Sequence, residues 1–333
     1  MRPPTRDVEK RVAVVGCKHT TLDLILGLER HGYRIDHCVT LDPGTAERNQ
    51  VAGYYDLRPF LVERGVPVTV AQKYALSTPE DRERLLALEL DMLLVTGWQR
   101  LIPAWWLESL SIGAFGMHGS SRPLPHGRGR SPLNWSLIQH KDIFYTHLFQ
   151  YLPGVDDGPV VGVQTFDINP SDTCQTLHFK NTVAMTQLCV QHLPALLEGT
   201  ARLVPQPKEG ASYYPKRSQE DGLIYWSDST RDIDALVRAV TRPFPGAFTY
   251  FDDDEEQMVL VWRAIPFDTR LSWPGTVPGE IVEVFYDGSF VVRTGDSTLL
   301  VLESEGRSLS PADVGRQLGH LGRPRKVWEN LPE

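Results

Sequence analysis

One histidine and a pair of adjacent carboxylates frame the chemistry open to this chain of 333 residues. His118 closes a short apolar run, Phe115-Gly116-Met117-His118, and Asp156 and Asp157 lie in the turn 153–159, PGVDDGP. A neutral imidazole near a carboxylate can move protons, and catalytic groups concentrate on loops held by rigid scaffolds. Residues 118–132, HGSSRPLPHGRGRSP, are too rich in Gly, Pro and Arg for regular structure, so a loop is predicted. A helix over 133–139 and an aromatic, partly alternating strand over 145–151 follow it. The histidine at one strand end and the carboxylate after another strand can then meet.

These groups need a scaffold. Residues 11–16, RVAVVG, read as a strand buried inside a parallel sheet. Thr20 or Thr21 is placed to cap the next helix, with Leu22, Ile25, Leu26 and Leu28 on one face and Gly32 as its stop. Residues 35–41 form a second strand, and this β-α-β opening predicts a doubly wound α/β sheet. Only Gly16 stands at the first strand end, so the G-x-G-x-x-G fingerprint is missing and a nicotinamide cofactor is not supported. Residues 42–56 read as a mobile loop, 57–64 as a short helix and 68–70 as a strand. An amphipathic helix started by Pro79 covers 78–89, and 91–96, DMLLVT, is a buried strand. The segment 97–103, GWQRLIP, falls at the carboxyl end of a central strand, where open α/β sheets bind ligands. A plain strand-to-helix turn with Trp98 in the core is the alternative.

A long helix over 171–198 closes the first domain. The Pro and Gly content of the stretch after it indicates an interdomain connection, giving a first domain over 1–204, a linker over 205–225 and a second domain over 226–333. In the second domain a helix over 229–240 places Ile233, Leu236, Val237 and Val240 on one face. Short strands at 248–251, 259–265, 279–285, 289–293 and 298–302 predict a small barrel, with the acidic run 252–256 at a solvated hairpin tip.

Composition narrows the function classes. No run of eighteen apolar residues occurs, and the N-terminal MRPPTRDVEKR has no apolar core, which argues against secretion and membrane insertion. Four scattered cysteines without a C-x-x-C pair argue against a disulfide framework or a metal site and point to the cytoplasm. The net charge is −8, and residues 206–333 carry 14 Lys and Arg against 21 Asp and Glu. Holding tRNA requires phosphate neutralisation, for which this balance offers no surplus.

Residues 112–163 resemble the catalytic core of the formyltetrahydrofolate-dependent formyltransferases, the family of methionyl-tRNA formyltransferase and the nucleotide-sugar formyltransferases. His118 matches the family histidine, Arg128-Gly129 its Arg-Gly pair and Asp156-Asp157-Gly158 its Asp-x-Gly turn. The resemblance implies that Asp156 is the catalytic carboxylate, with Asp157 as the alternative. It also identifies 97–103 with the family's folate-binding loop, so that Trp98, Gln99, Arg100, Leu101 and Ile102, with Asp156, would contact 10-formyltetrahydrofolate. Residues 222–250 resemble the start of the family's C-terminal OB-like domain. The implied fold is a doubly wound, mostly parallel Rossmann-like sheet followed by an OB-like β-barrel.

One departure matters. The family asparagine falls on Gly116, and the loop after His118 is slightly longer than usual. Loss of an oxyanion donor costs roughly 3 to 4 kcal/mol in other enzymes. A hydroxyl from Ser120 or Ser121, or a backbone N–H of the longer loop, is expected to take its place. Arg128 is expected to brace the loop, and Arg122 and Arg130 either bind an anionic substrate or brace it too. His126 and His147 receive no role, and Asn134 reads as a helix-turn residue.

The resemblance implies an N-formyltransferase acting on the amine of a small substrate. The string GRGRSPLNW and the acidic second domain favour a nucleotide-linked amino sugar. The alternatives are an amino-acid-derived amine of the hydroxyornithine type and, disfavoured by charge, methionyl-tRNA. A reading from another class, an inactive folate-binding or regulatory module, is kept open by Gly116, since fold alone does not establish function.

Overall fold

The computed structural model describes residues 10–328, 331 and 332. Most of the N-terminal tract that argued against secretion, residues 1–9, lies outside them. The chain forms two compact units, and neither is one continuous segment. The first comprises Met1–Arg128, Tyr145–Phe166 and Phe179–Ala211; the second comprises Gly129–Phe144, Asp167–His178 and Ser212–Glu333.

In chain order the elements are β1 (Val12–Val15), α1 (His19–Arg30), β2 (His37–Thr40), α2 (Pro43–Arg48), α3 (Arg58–Glu63), β3 (Val68–Val70), α4 (Pro79–Leu86) and β4 (Met92–Val95). Then come α5 (Ala104–Leu107), β5 (Gly113–Ser120), β6 (Arg128–Gly129), α6 (Pro132–Ile138), β7 (Ile143–Gln150), β8 (Val160–Asp167) and α7 (Cys174–Leu197). Seven of the strands form one sheet in the order β3-β2-β1-β4-β5-β7-β8. The pairs β2/β3, β1/β2, β1/β4 and β4/β5 are parallel, and β7 runs antiparallel to β5. The predicted α/β, doubly wound, mostly parallel sheet is therefore present. Strand order reverses between β1 and β4, and at such a reversal the carboxyl strand ends open a crevice.

Burial follows the pleat. Val12, Val14, Leu94 and Phe115 point to one face, where Leu24, Ile25 and Leu28 of α1 and Met185, Leu188 and Cys189 of α7 cover them. Ala13, Val15, Leu93, Val95 and Ala114 point to the other, against Leu85, Trp98 and Trp106. On β5 the even-numbered residues 114, 116, 118 and 120 thus share the second face.

The structure corrects several expectations. The N-cap of α1 is Lys18, not Thr20 or Thr21. Thr21 is fully buried one turn in, and its hydroxyl donates to the Thr96 carbonyl at 2.9 Å, tying α1 to the end of β4. Residues 42–56 are not simply a loop. Asp42 accepts the Thr45 N–H at 2.9 Å and Pro43 occupies the first turn of α2, a start signal present in the sequence. β5 continues past His118 to Ser120, because β7 supplies a ladder as far as Tyr145. The half-exposed edge strand β8 was not anticipated.

The second unit contains the ribbon strand β9 (Tyr213–Tyr214), α8 (Thr230–Val240), and strands β10 (Ala247–Phe251), β11 (Met258–Pro266), β12 (Ile281–Val284), β13 (Phe290–Arg293), β14 (Thr298–Gly306) and β15 (Leu318–Gly319). The six form one antiparallel sheet in the order β12-β13-β14-β11-β10-β15. Its edges meet: Leu318 N–H donates to Gly279 O at 2.8 Å, and Ile281 N–H to Arg316 O at 2.9 Å. The sheet therefore closes into the predicted small barrel, which leaves no long free edge. Asn134 of α6 is buried and donates to the Ala239 carbonyl of α8 at 2.6 Å, so it links two helices of this unit.

Candidate active site

His118 and Asp156 meet. Asp156 adopts a left-handed backbone, φ 50°, which Asp tolerates better than most residues, and its Oδ2 lies 3.3 Å from His118 Nδ1. Asp157 does not compete: it is exposed, and its carboxylate lies over Gly154, where a Cβ would stand 1.9 Å from Oδ2. The other ring nitrogen of His118, Nε2, is 2.7 Å from the Gly127 carbonyl oxygen. A carbonyl only accepts, so Nε2 carries a proton. The approach of Nδ1 to a carboxylate is attractive when a second proton lies between them, so this geometry suits a pair that holds one exchangeable proton.

The pair is braced from behind. Gln206 donates its side-chain amide to Asp156 O at 2.8 Å and to Gly158 O at 2.7 Å. The amide oxygen of Gln206 accepts from Arg128 Nε at 3.2 Å and Nη2 at 2.6 Å. Arg128, which is buried, thus acts as the expected brace, through a glutamine that no sequence signal singles out. Gly158 is required here, since a Cβ would fall 1.7 Å from Gln150 O. His147 sits opposite His118 in the β5/β7 register. Its Nδ1 is 3.2 Å from His118 O, and its Nε2 accepts the Leu124 N–H at 3.2 Å, which pins the loop after β5. Burial, followed by the nearby His118, lowers the His147 pKa to about 4, so this ring is a neutral structural link.

Gly116 lies two residues before His118 on the same face of β5. A Cβ here would stand 2.2 Å from Tyr151 Cε2, 3.0 Å from its Cζ and 2.7 Å from Val95 O. The space beside residue 116 is therefore filled by a tyrosine ring. Ser120 does not fill it: four residues along a strand are roughly 13 Å. Tyr151, which sequence reasoning passed over, follows β7 and is fixed by its N–H to Ala114 O at 2.8 Å. Burial, followed by the charge of Asp156, raises its pKa, so the phenol keeps its proton.

Residues 97–103 leave β4 at the crevice side of the sheet. Trp98 and Ile102 are buried in the core, as the alternative reading had it for Trp98, and Trp98 packs edge-on against Tyr74 with centroids 4.8 Å apart. The Trp98 indole N–H is nevertheless buried without a partner among the described residues. Gln99 N–H donates to Tyr74 OH at 2.8 Å. Arg100 stacks over the Tyr74 ring at 4.6 Å and lines a cavity of about 380 Å³ with Arg48, Asn49 and Lys73. Leu101 is 51% exposed. Among the described residues, the backbone N–H groups of Arg100, Leu101 and Ile102 donate no hydrogen bond within the protein. Such a stretch leaves its donors open to solvent or to a ligand. No cluster of three His, Cys, Asp or Glu side chains able to hold a metal occurs among the described residues.

Residues 44–193 match the family model described as formyl transferase, and residues 216–315 match that for the formyl transferase C-terminal domain. Among solved structures, HypX from Aquifex aeolicus in complex with tetrahydrofolic acid is similar at 17% identity and TM-score 0.64. That similarity covers 90% of this chain but 44% of HypX, so the chain spans less than half the length of that protein. WlaRD, a sugar 3N-formyl transferase solved in the presence of dTDP and 5-N-formyl-THF, is similar at 12% identity and TM-score 0.62, over 90% of this chain and 98% of its own. The N-formyltransferase from Helicobacter canadensis, in complex with folinic acid and dTDP-3-aminofucose, is similar at 13% identity and TM-score 0.61, over 89% and 100%. With both of its domains matched, the chain belongs to the formyltetrahydrofolate-dependent formyltransferase family.

Proposed function

We propose that this chain transfers the formyl group of 10-formyltetrahydrofolate to the amine of a small substrate, a nucleotide-linked amino sugar. The observation that carries the reading is the His118–Asp156 pair, held at 3.3 Å on strand ends of the family's fold. In the reaction the amine nitrogen bonds to the formyl carbon, the bond from that carbon to folate N10 breaks, and one proton passes from the amine to N10. The pair accounts for that proton: it delivers one to the leaving nitrogen and recovers one from the attacking amine, returning to its starting state. Arg128 and Gln206 act behind it by fixing the turn that carries Asp156. The backbone donors of Arg100, Leu101 and Ile102 hold the pterin edge, and the cations around Arg100 suit the carboxylates of the folate tail.

The sugar assignment is supported by the similarity of the fold to WlaRD and to the Helicobacter canadensis N-formyltransferase, and by the chain's net charge of −8, which suits tRNA poorly. We also place the domain boundary in the connection 205–225, between the two matched stretches, regard the barrel as OB-like, and assign the protein to the cytoplasm on its four buried free cysteines. Incubation with 10-formyltetrahydrofolate and a panel of amino sugars, hydroxylated diamino acids and methionyl-tRNA, following folate release and product mass, tests the reading. Formylated nucleotide sugar is expected. Tight folate binding without turnover on any amine would replace the enzyme with the inactive folate-binding module.

A further inference from the structure

We infer that the phenolic hydroxyl of Tyr151 is a catalytic hydrogen-bond donor to the formyl oxygen, doing the work for which residue 116 has no side chain. This rests on the formyl-transfer reading above. When the amine adds, negative charge develops on the formyl oxygen and needs a positioned, neutral donor. His118 is poorly placed to supply one, because Nε2 is engaged by Gly127 O and Nδ1 by Asp156.

Tyr151 meets the need on three independent counts. The hydroxyl-bearing end of its ring lies beside Gly116, with Cζ 3.0 Å from the position a Cβ would take, so the phenol occupies the volume of a side chain projecting from that face of β5. Its hydroxyl makes no hydrogen bond among the described residues and is not among the buried unpaired atoms, so it remains available to a ligand. Burial, followed by the charge of Asp156, raises its pKa, so the phenol stays protonated, as a donor should be. The ring is held in place by its stack on Phe149, centroids 5.1 Å apart, and by the Tyr151 N–H to Ala114 O bond.

The test is Tyr151→Phe, which keeps the ring and removes the donor. Turnover should fall about 100- to 1000-fold with KM for the donor changed less than about threefold, the size seen when one oxyanion donor is deleted elsewhere. A second readout is independent of turnover: the infrared band of a ¹³C-labelled formyl group on bound, unreactive 10-formylfolate should lie at lower frequency in the wild type than in Y151F. Turnover of Y151F within about threefold of wild type, or an unmoved formyl band, overturns the inference while leaving formyl transfer intact. A wild-type protein that transfers formyl to no amine overturns both.

Discussion

Two parts of the candidate site, the loops after β5 and β7 and the loop after β4, are built in opposite ways. After β5 and β7, the polar groups around the His118–Asp156 pair are satisfied internally: Gly127 O on the imidazole, Gln206 and Arg128 on the turn, His147 on the loop. After β4, three consecutive backbone N–H groups and one indole N–H have no partner among the described residues. Under the proposed function the contrast separates two tasks. Proton transfer needs groups locked to within a few tenths of an ångström before substrate arrives. Cofactor recognition needs donors left open for the ligand, since unpaired polar groups near a binding surface become favourable only when it arrives.

Variants can break this contrast at either loop. The largest effect is expected from Asp156→Asn, which keeps the side-chain shape but removes the carboxylate. Turnover should drop about 10³-fold, within the 10²- to 10⁴-fold range of acid–base groups, while titration calorimetry shows folate binding weakened far less. A D156N enzyme retaining a tenth of wild-type turnover would remove the pair from the chemistry.

Next is the acid sensitivity of the locked loop. His147 has its pKa lowered to about 4 in the folded protein against 6.5 unfolded. The unfolded chain therefore takes up a proton first as pH falls, and folded stability should decline between pH 6.5 and 4 by about 3 kcal/mol from this residue, with no further loss below. Urea denaturation across that window should show a shallower decline in His147→Gln than in the wild type. Equal slopes would mean that His147 titrates normally.

Gln206→Ala should cost about tenfold in turnover and about 1 to 2 kcal/mol in stability, by releasing the backbone oxygens of Asp156 and Gly158. The split between kcat and KM is informative, because a brace that acts through Asp156 changes kcat and leaves the donor KM alone. Leu101→Ala, on the open loop, should do the reverse and least: donor KM about threefold higher, kcat and melting temperature unchanged. If Leu101→Ala lowered melting by several degrees, the open loop would be part of the core after all.

Much of the framework was legible without coordinates. The buried strands β1 and β4, the amphipathic α8 and the barrel strands announce themselves through apolar runs and periodicity, because their burial depends on local pattern. The motif His118, Arg128-Gly129, Asp156 was legible for the same reason: its members lie within a short span in a fixed order. Less local features were not. The edge strand β8 is half exposed and lacks a strong apolar signal, and the cap of α1 was misplaced because Thr21 is committed to Thr96, 75 residues away.

Residue types and their order along the chain settled the α/β class, the presence of His118 and Asp156 in one short motif and the absence of an amide at position 116, since each is a property of short segments. Only the packed structure decided what stands beside Gly116, which of Asp156 and Asp157 faces the imidazole, and that Gln206 supports the turn from 50 residues away. Those choices depend on which strands become neighbours and how their side chains exclude one another, and that geometry is set by the whole core rather than by any stretch of sequence.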